Sequence, residues 1–159
     1  MEKILVLGVG NILYMDEGIG VKCLDLLRER HHFPDNVTLM DGGTLGLGLM
    51  KDLLDHNRVF ILDAVLGNGQ PGDLYRLTGE DLRKSLSFCD SMHGTDLLDT
   101  LIICDLVSQR PEVVVIGMEP FDYRSLGLDL SEVARVGLPK MAKALINELI
   151  SIGIAPLIN

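Results

Sequence analysis

The chain has 159 residues, of which 47% are hydrophobic and 23% charged, and this length and composition predict one globular domain over residues 1–159. Its net charge of −9 would repel phosphate backbones and anionic lipids, which excludes nucleic acid and membrane surfaces as expected partners. No apolar run approaches the roughly 20 residues of a membrane span, and no signal sequence is recognisable, so we expect a cytoplasmic protein.

The elements follow a βαβ pattern, because short aliphatic runs alternate with helical periods. Residues 78–92 are polar and typical of a loop. Strands are predicted at 3–8, 37–41, 58–63, 73–77 and 112–118, and helices at 18–30, 45–56, 95–109 and 139–150. Pro139 is expected in the first turn of the last helix, where its missing N–H costs nothing.

The strand at 73–77 differs from the others, because too few residues separate it from the strand ending at Asp63 for a parallel return. It should therefore be antiparallel and lie at an edge. We predict an α/β fold: a single three-layer domain with a mostly parallel, twisted five-stranded sheet, helices on both faces and one antiparallel edge strand. The parallel strands should follow the order 37–41, 3–8, 58–63 and 112–118.

A glycine-rich turn, Gly8 to Gly20, follows the first strand and carries two adjacent carboxylates where the next helix begins. The partial positive charge of a helix N-terminus stabilises a carboxylate there, and we expect Asp16 to cap this helix. A dinucleotide site is disfavoured, because Leu13 stands where the third glycine would be and acids occupy the pyrophosphate position.

Two further polar residues stand at comparable places. Asp63 ends an aliphatic strand, and from the residues alone a turn role is nearly as plausible as a ligand role. His93 precedes a helical pattern, and a helix N-terminus keeps an imidazole neutral, as a metal ligand must be. With Glu17, these two side chains would make a site suited to nickel or zinc that leaves coordination positions open.

The three cysteines, Cys23, Cys89 and Cys104, show neither a disulfide framework nor the spacing of a thiolate zinc site. Buried or idle thiols are the better interpretation. A Cys–His nucleophile remains open, because Cys89 lies four residues before His93.

These motifs together resemble the endopeptidases that mature nickel-iron hydrogenases, whose opening motif reads Gly-x-Gly-Asn-x-Leu-x-x-Asp-Asp/Glu-Gly-x-Gly. Every position of that motif is filled between Gly8 and Gly20. The resemblance continues through the strand ending in Asp63 and through the segments 41–44 and 91–93, and so covers nearly the whole chain.

The resemblance implies an endopeptidase that removes a C-terminal extension from the nickel-loaded precursor of a nickel-iron hydrogenase large subunit. By position, it implies that Glu17, Asp63 and His93 bind the nickel, which the substrate supplies and for which other divalent transition ions can substitute. Glu17 and Asp63 could each also act as catalytic base, and Asp41 is a further catalytic candidate. The resemblance leaves open whether the endopeptidase is of the aspartyl type or is nickel-dependent.

Two alternatives of other classes remain. A nickel-binding chaperone without hydrolytic activity would share all of these ligands. A phospho-accepting receiver domain would also place an aspartate at the end of its third strand. It would require a lysine where Glu119 follows the last strand, and acids closer to the end of the first strand than Asp16 and Glu17 are.

Overall fold

The computed structural model describes residues 1–43, 46–89, 100 and 111–159. A five-stranded sheet in the order β3-β1-β4-β6-β5 forms its centre, with β5 antiparallel to β6 at one edge and the other neighbours parallel. Both the predicted strand order and the antiparallel edge strand are confirmed.

The strands are β1 Ile4–Val9, β2 His31–His32, β3 Val37–Gly43, β4 Arg58–Ala64, β5 Leu74–Leu77, β6 Glu112–Met118 and β7 Leu157–Ile158. The helices are α1 Ile19–Arg30, α2 Met50–Leu54, α3 Leu86–Cys89 and α4 Glu132–Ser151, with 3-10 turns at Met15–Gly18, Gly46–Leu49 and Gly79–Lys84.

Both faces of the sheet are covered, which confirms the three layers. Side chains of a strand alternate between the two faces, so β1 divides its residues between two separate cores. Ile4 and Val6 pack with Leu24 of α1 and Leu145 of α4 on one face. Leu5, Leu7 and Val9 lie on the other face, where Leu49 and Leu53 cover them. Burial on both sides accounts for the nearly unbroken aliphatic strands.

The last helix is longer than predicted. It begins at Glu132, seven residues before Pro139, which lies inside the helix. A proline within a helix removes one backbone hydrogen bond and was therefore interpreted as a helix start. Its N-cap is Ser131, whose side chain accepts a hydrogen bond from the backbone N–H of Ala134.

Other differences are local. Residues 78–92, expected as a loop, include the 3-10 turn Gly79–Lys84 and the short helix α3. The predicted helix 45–56 is a 3-10 turn followed by α2. The small antiparallel pair of β2 with β7 was not predicted. The predicted helix 95–109 lies outside the described residues except for Thr100. Within the part of the chain that the structure describes, no helix is long and apolar enough to cross a membrane.

Candidate active site

The glycine-rich turn after β1 brings the 3-10 turn Met15–Gly18 against the end of β4. Gly10 has a φ of +116°, and a side chain there would overlap the backbone carbonyl oxygen of Glu17. A side chain at Gly20 would likewise overlap the carbonyl oxygen of Leu62. These glycines therefore allow backbone segments to touch. Close backbone contact accounts for both glycines without a bound dinucleotide.

Asp63 is a buried carboxylate at this edge whose two oxygens differ in their hydrogen bonds. It lies near the end of β4 and is fully buried. Its Oδ2 accepts hydrogen bonds from the Ser85 hydroxyl and, at 2.8 Å, from the Ser87 backbone N–H. Its Oδ1 is buried without a hydrogen-bond partner among the described residues, and lies 3.7 Å from the position that a Cβ on Gly10 would occupy. One oxygen is thus fixed, and the other faces the turn that carries Glu17.

The pKa of Asp63 is raised from its ordinary value near 3.8 to about 7, because burial disfavours the charged carboxylate. The hydrogen bonds from Ser85 and Ser87 oppose this shift and do not cancel it. At neutral pH the group can therefore either hold or release a proton. Such a pKa suits proton transfer, and a buried orphaned oxygen suits a ligand.

This pKa predicts that the metal-free protein loses stability as pH rises from about 4 to 7. Over that range the folded chain retains a proton on Asp63 that the unfolded chain has lost. The contribution is fully present below pH 4 and falls by up to about 4 kcal/mol in total, at about 1.4 kcal/mol per pKa unit. Denaturant unfolding at pH 5 and pH 8 measures the part lost between these two values, about 3 kcal/mol. Asp63→Asn should remove this part of the pH dependence, and an equal loss in both proteins would contradict the assignment.

Of the other predicted site residues, the structure describes Glu17 and Asp41. Glu17 is only 8% exposed and lies on the 3-10 turn over the end of β4. Asp41 is exposed on β3, and its Oδ1 accepts a hydrogen bond from the Gly43 N–H at 2.9 Å. His93 lies outside the described residues. No group of three His, Cys, Asp or Glu close enough to hold a metal ion is found in the ranges described, so the complete trio remains a prediction.

The expectation that Asp16 caps α1 is wrong. Asp16 is fully buried and accepts four hydrogen bonds from the loop 121–131, while Gly18 stands at the N-cap of α1. Its Oδ2 accepts from the Phe121 and Asp122 N–H groups and from the Ser131 hydroxyl, and its Oδ1 from the Ser131 N–H. Asp16 therefore fastens the 121–131 loop to the turn after β1.

Replacing Asp16 should destabilise the protein strongly. In Asp16→Asn an amide group would face backbone and hydroxyl donors, and each buried donor left without an acceptor costs about 1–3 kcal/mol. We expect a loss of at least about 2 kcal/mol in the free energy of unfolding, measured by denaturant titration. Asp129→Asn, on an exposed position of the same loop, is the matched control and should change stability by less than about 0.5 kcal/mol. Similar values for both variants would show that the Asp16 bonds contribute little.

Sequence reasoning missed the partners of the buried carboxylates. Ser85 lies 22 residues from Asp63, in a stretch interpreted as a polar loop. Glu119, noted only for replacing a lysine, accepts hydrogen bonds from the Gly67 and Gly69 N–H groups and from the Tyr75 hydroxyl, and so fixes the loop after β4. No local sequence pattern predicts hydrogen bonds between residues so far apart in the chain.

The cysteines add no nucleophile to the described part of the site. Cys23 is fully buried in the core, and burial raises the pKa of its thiol to about 12, so it is idle, as expected. The side chain of Cys89 and all of Cys104 lie outside what the structure describes, as His93 does, and the possible Cys–His pair stays untested.

Comparison with known proteins identifies the family. The model of the hydrogenase maturation protease family matches residues 21–148. The hydrogenase expression/formation protein HupM of Azotobacter chroococcum is 37% identical over 146 residues, covering 90% of this chain and 70% of that protein. The chain belongs to the hydrogenase maturation proteases. It is therefore a peptidase, and the resemblance noted in the sequence is confirmed.

Other relatives of this maturation protease agree. The hydrogenase 2 maturation protease of Escherichia coli K12 is 35% identical over 120 residues, covering 74% of this chain and 73% of that one. The structure of the hydrogenase maturating endopeptidase HybD from E. coli superposes with a TM-score of 0.90 at 28% identity, over 99% of this chain and 98% of that chain. Family membership excludes the receiver-domain alternative.

Proposed function

We propose that the protease removes the C-terminal extension of the nickel-loaded large-subunit precursor of a nickel-iron hydrogenase, and that it recognises the metal through Glu17, Asp63 and His93. The observation that carries this proposal is Asp63 Oδ1, a buried oxygen without a hydrogen-bond partner in the described ranges, at the sheet edge beside the Glu17 turn. A buried polar atom is costly unless something binds it, and a metal ion that arrives with the substrate would do so.

The composition of the trio supports a metal that is shared with the substrate. Carboxylate and imidazole ligands suit nickel, and three protein ligands leave positions for groups of the precursor. The nickel is thus part of the substrate, and other divalent transition ions can bind in its place. The chain has no His-Glu-x-x-His motif of the kind with which zinc peptidases hold a metal of their own.

Peptide hydrolysis requires a group that takes a proton from water as the water oxygen attacks the scissile carbonyl carbon. We assign this role to Glu17, which can accept that proton and return it to the leaving amine as the C–N bond breaks, because Oδ1 of Asp63 would bind the metal and its Oδ2 already accepts two hydrogen bonds. Asp63 is the alternative base, in a state in which its Oδ1 does not bind the metal. Asp41 is proposed as a further catalytic residue, and Asp41→Asn tests this: an unchanged kcat would leave Asp41 only its turn-forming bond to Gly43.

The surface beside the site supports a protein substrate. Leu13, two residues before the turn Met15–Gly18, is 52% exposed, and its backbone carbonyl oxygen accepts a hydrogen bond from the N–H of Gly127 in the 121–131 loop. Phe121 and Leu126 of that loop are 69% and 77% exposed. Large exposed apolar side chains grouped in this way are typical of contact with another protein, and we assign this face to the precursor.

The test is incubation of the protease with the nickel-loaded precursor, followed by mass spectrometry of the precursor. Loss of a single C-terminal peptide would support the proposal. An intact precursor that remains bound to the protein would instead favour the nickel-binding chaperone, which shares the same ligands.

A further inference from the structure

The two carboxylate oxygens of Asp63 differ in their hydrogen bonds, and Ser85 is the side chain that donates to one of them and not to the other. Ser85 is fully buried, its hydroxyl donates to Oδ2, and its backbone forms a bridge with Val65, two residues beyond Asp63. The serine is thereby held against the end of β4 from both its backbone and its side chain. Oδ2 is also the acceptor for the Ser87 N–H.

Oδ1 has no hydrogen-bond partner among the described residues and faces Gly10. Binding of a metal through both oxygens would compete with the two hydrogen bonds, from Ser85 and Ser87, that Oδ2 already accepts. A carboxylate that binds a metal through both oxygens fills two coordination positions, whereas one oxygen fills a single position. The difference decides how many positions remain for groups of the precursor.

We propose that Ser85 is a positioning residue of the protease, which holds Oδ2 of Asp63 and so presents Oδ1 as the single oxygen that binds the nickel of the precursor. This inference rests on the proposed function, because it concerns the same metal. Ser85 itself does not touch the metal, and it acts through Asp63 in the way that outer hydrogen-bond partners orient metal ligands.

A purely structural role is the rival explanation, since removing any buried hydroxyl from a carboxylate lowers stability. The chain contains a matched control for this. Ser131 is also buried, and its hydroxyl also donates to a buried carboxylate, that of Asp16. Ser131→Ala should therefore lower the melting temperature at least as much as Ser85→Ala does, because it also removes the N-cap of α4, and it does so without touching Asp63.

The first measurement is steady-state cleavage of the nickel-loaded precursor by the Ser85→Ala, Ser85→Thr and Ser131→Ala variants, each checked by a melting curve. We expect kcat of Ser85→Ala to fall by about 10- to 100-fold and KM to rise, because Asp63 then holds the metal of the precursor less well. Ser85→Thr, which keeps the hydroxyl, should recover most of the rate. Ser131→Ala leaves three of the four hydrogen bonds to Asp16 in place, so its kcat should stay within about 3-fold of wild type. If Ser85→Ala does not fold, Ser85→Cys takes its place, as a weak donor of similar size.

The second measurement uses Ni²⁺ alone and does not depend on cleavage. Infrared difference spectra of ¹³C-aspartate-labelled protein on addition of Ni²⁺ report carboxylate coordination, with Asp63→Asn to assign the band. The wild-type band should show the wide splitting of single-oxygen binding, and Ser85→Ala should narrow it. Equal kcat in the Ser85→Ala and Ser131→Ala proteins, or identical infrared bands with and without the Ser85 hydroxyl, would overturn the inference. A Ser85-dependent band in a protein that cuts no precursor would overturn the proposed function and leave the role of Ser85 standing.

Discussion

Cleavage of the large-subunit precursor should occur only when the precursor carries nickel. In our proposal Glu17, Asp63 and His93 bind the metal of the substrate, and without it the scissile bond is not brought to Glu17. The expected result is complete loss of the C-terminal peptide from nickel-loaded precursor and no detectable cleavage of nickel-free precursor. Mass spectrometry of both forms after incubation measures this.

The control is reloading: nickel added back to the nickel-free precursor before mixing should restore cleavage, which excludes misfolding of the substrate as the cause. Equal cutting of the two forms would rule out recognition through the metal. The chain would still be a peptidase of its family, and Glu17, Asp63 and His93 would have a role other than recognition of the metal.

Substitution of the trio should abolish processing while the fold persists. Two of the substitutions, Glu17→Gln and Asp63→Asn, remove a charge with little change in side-chain volume. The third, His93→Ala, removes an imidazole ligand. We expect each to lower kcat by at least about 100-fold, because outer partners of metal ligands alone cost about 10- to 100-fold. Precursor cleavage and far-ultraviolet circular dichroism, measured on the same samples, test both halves of the prediction.

Asp63→Asn is the most informative of the three. Its side chain is fully buried, so its replacement also tests the stability of the fold. Because burial raises its pKa to about 7, the amide variant should be free of the buried charge that the wild-type protein acquires above that pH. An inactive protein that is at least as stable as wild type at pH 8 would identify a functional carboxylate. An unfolded variant would instead show that Asp63 is required for the structure.

The fold could be predicted almost entirely from local patterns. Aliphatic runs buried on both faces, such as Val59 to Leu62, are characteristic of parallel strands, and the short connection to 73–77 required an antiparallel partner. Pro139 was misleading, because packing of α4 against the core compensates for the missing backbone hydrogen bond. Tertiary contacts of this kind leave no periodic signal in the sequence.

The site was predicted less completely. Strand ends placed Asp63 and the Glu17 turn at the same edge, as expected for parallel strands. The role of Asp16 could not be predicted, because its donors lie 105 to 115 residues away. Capping rules consider only nearby backbone groups, and Asp16 has just the position that such rules favour.

The separation of Asp16 from its donors also bears on when the protease becomes competent during its synthesis. The 3-10 turn that carries Glu17 is among the first segments to leave the ribosome, but the loop that fastens it follows only after β6. Contacts between residues so far apart in the chain form late and slowly, because a long loop must close first. The turn that carries Glu17 therefore gains these bonds only once the chain through Ser131 has emerged, after all five strands of the central sheet have been synthesised.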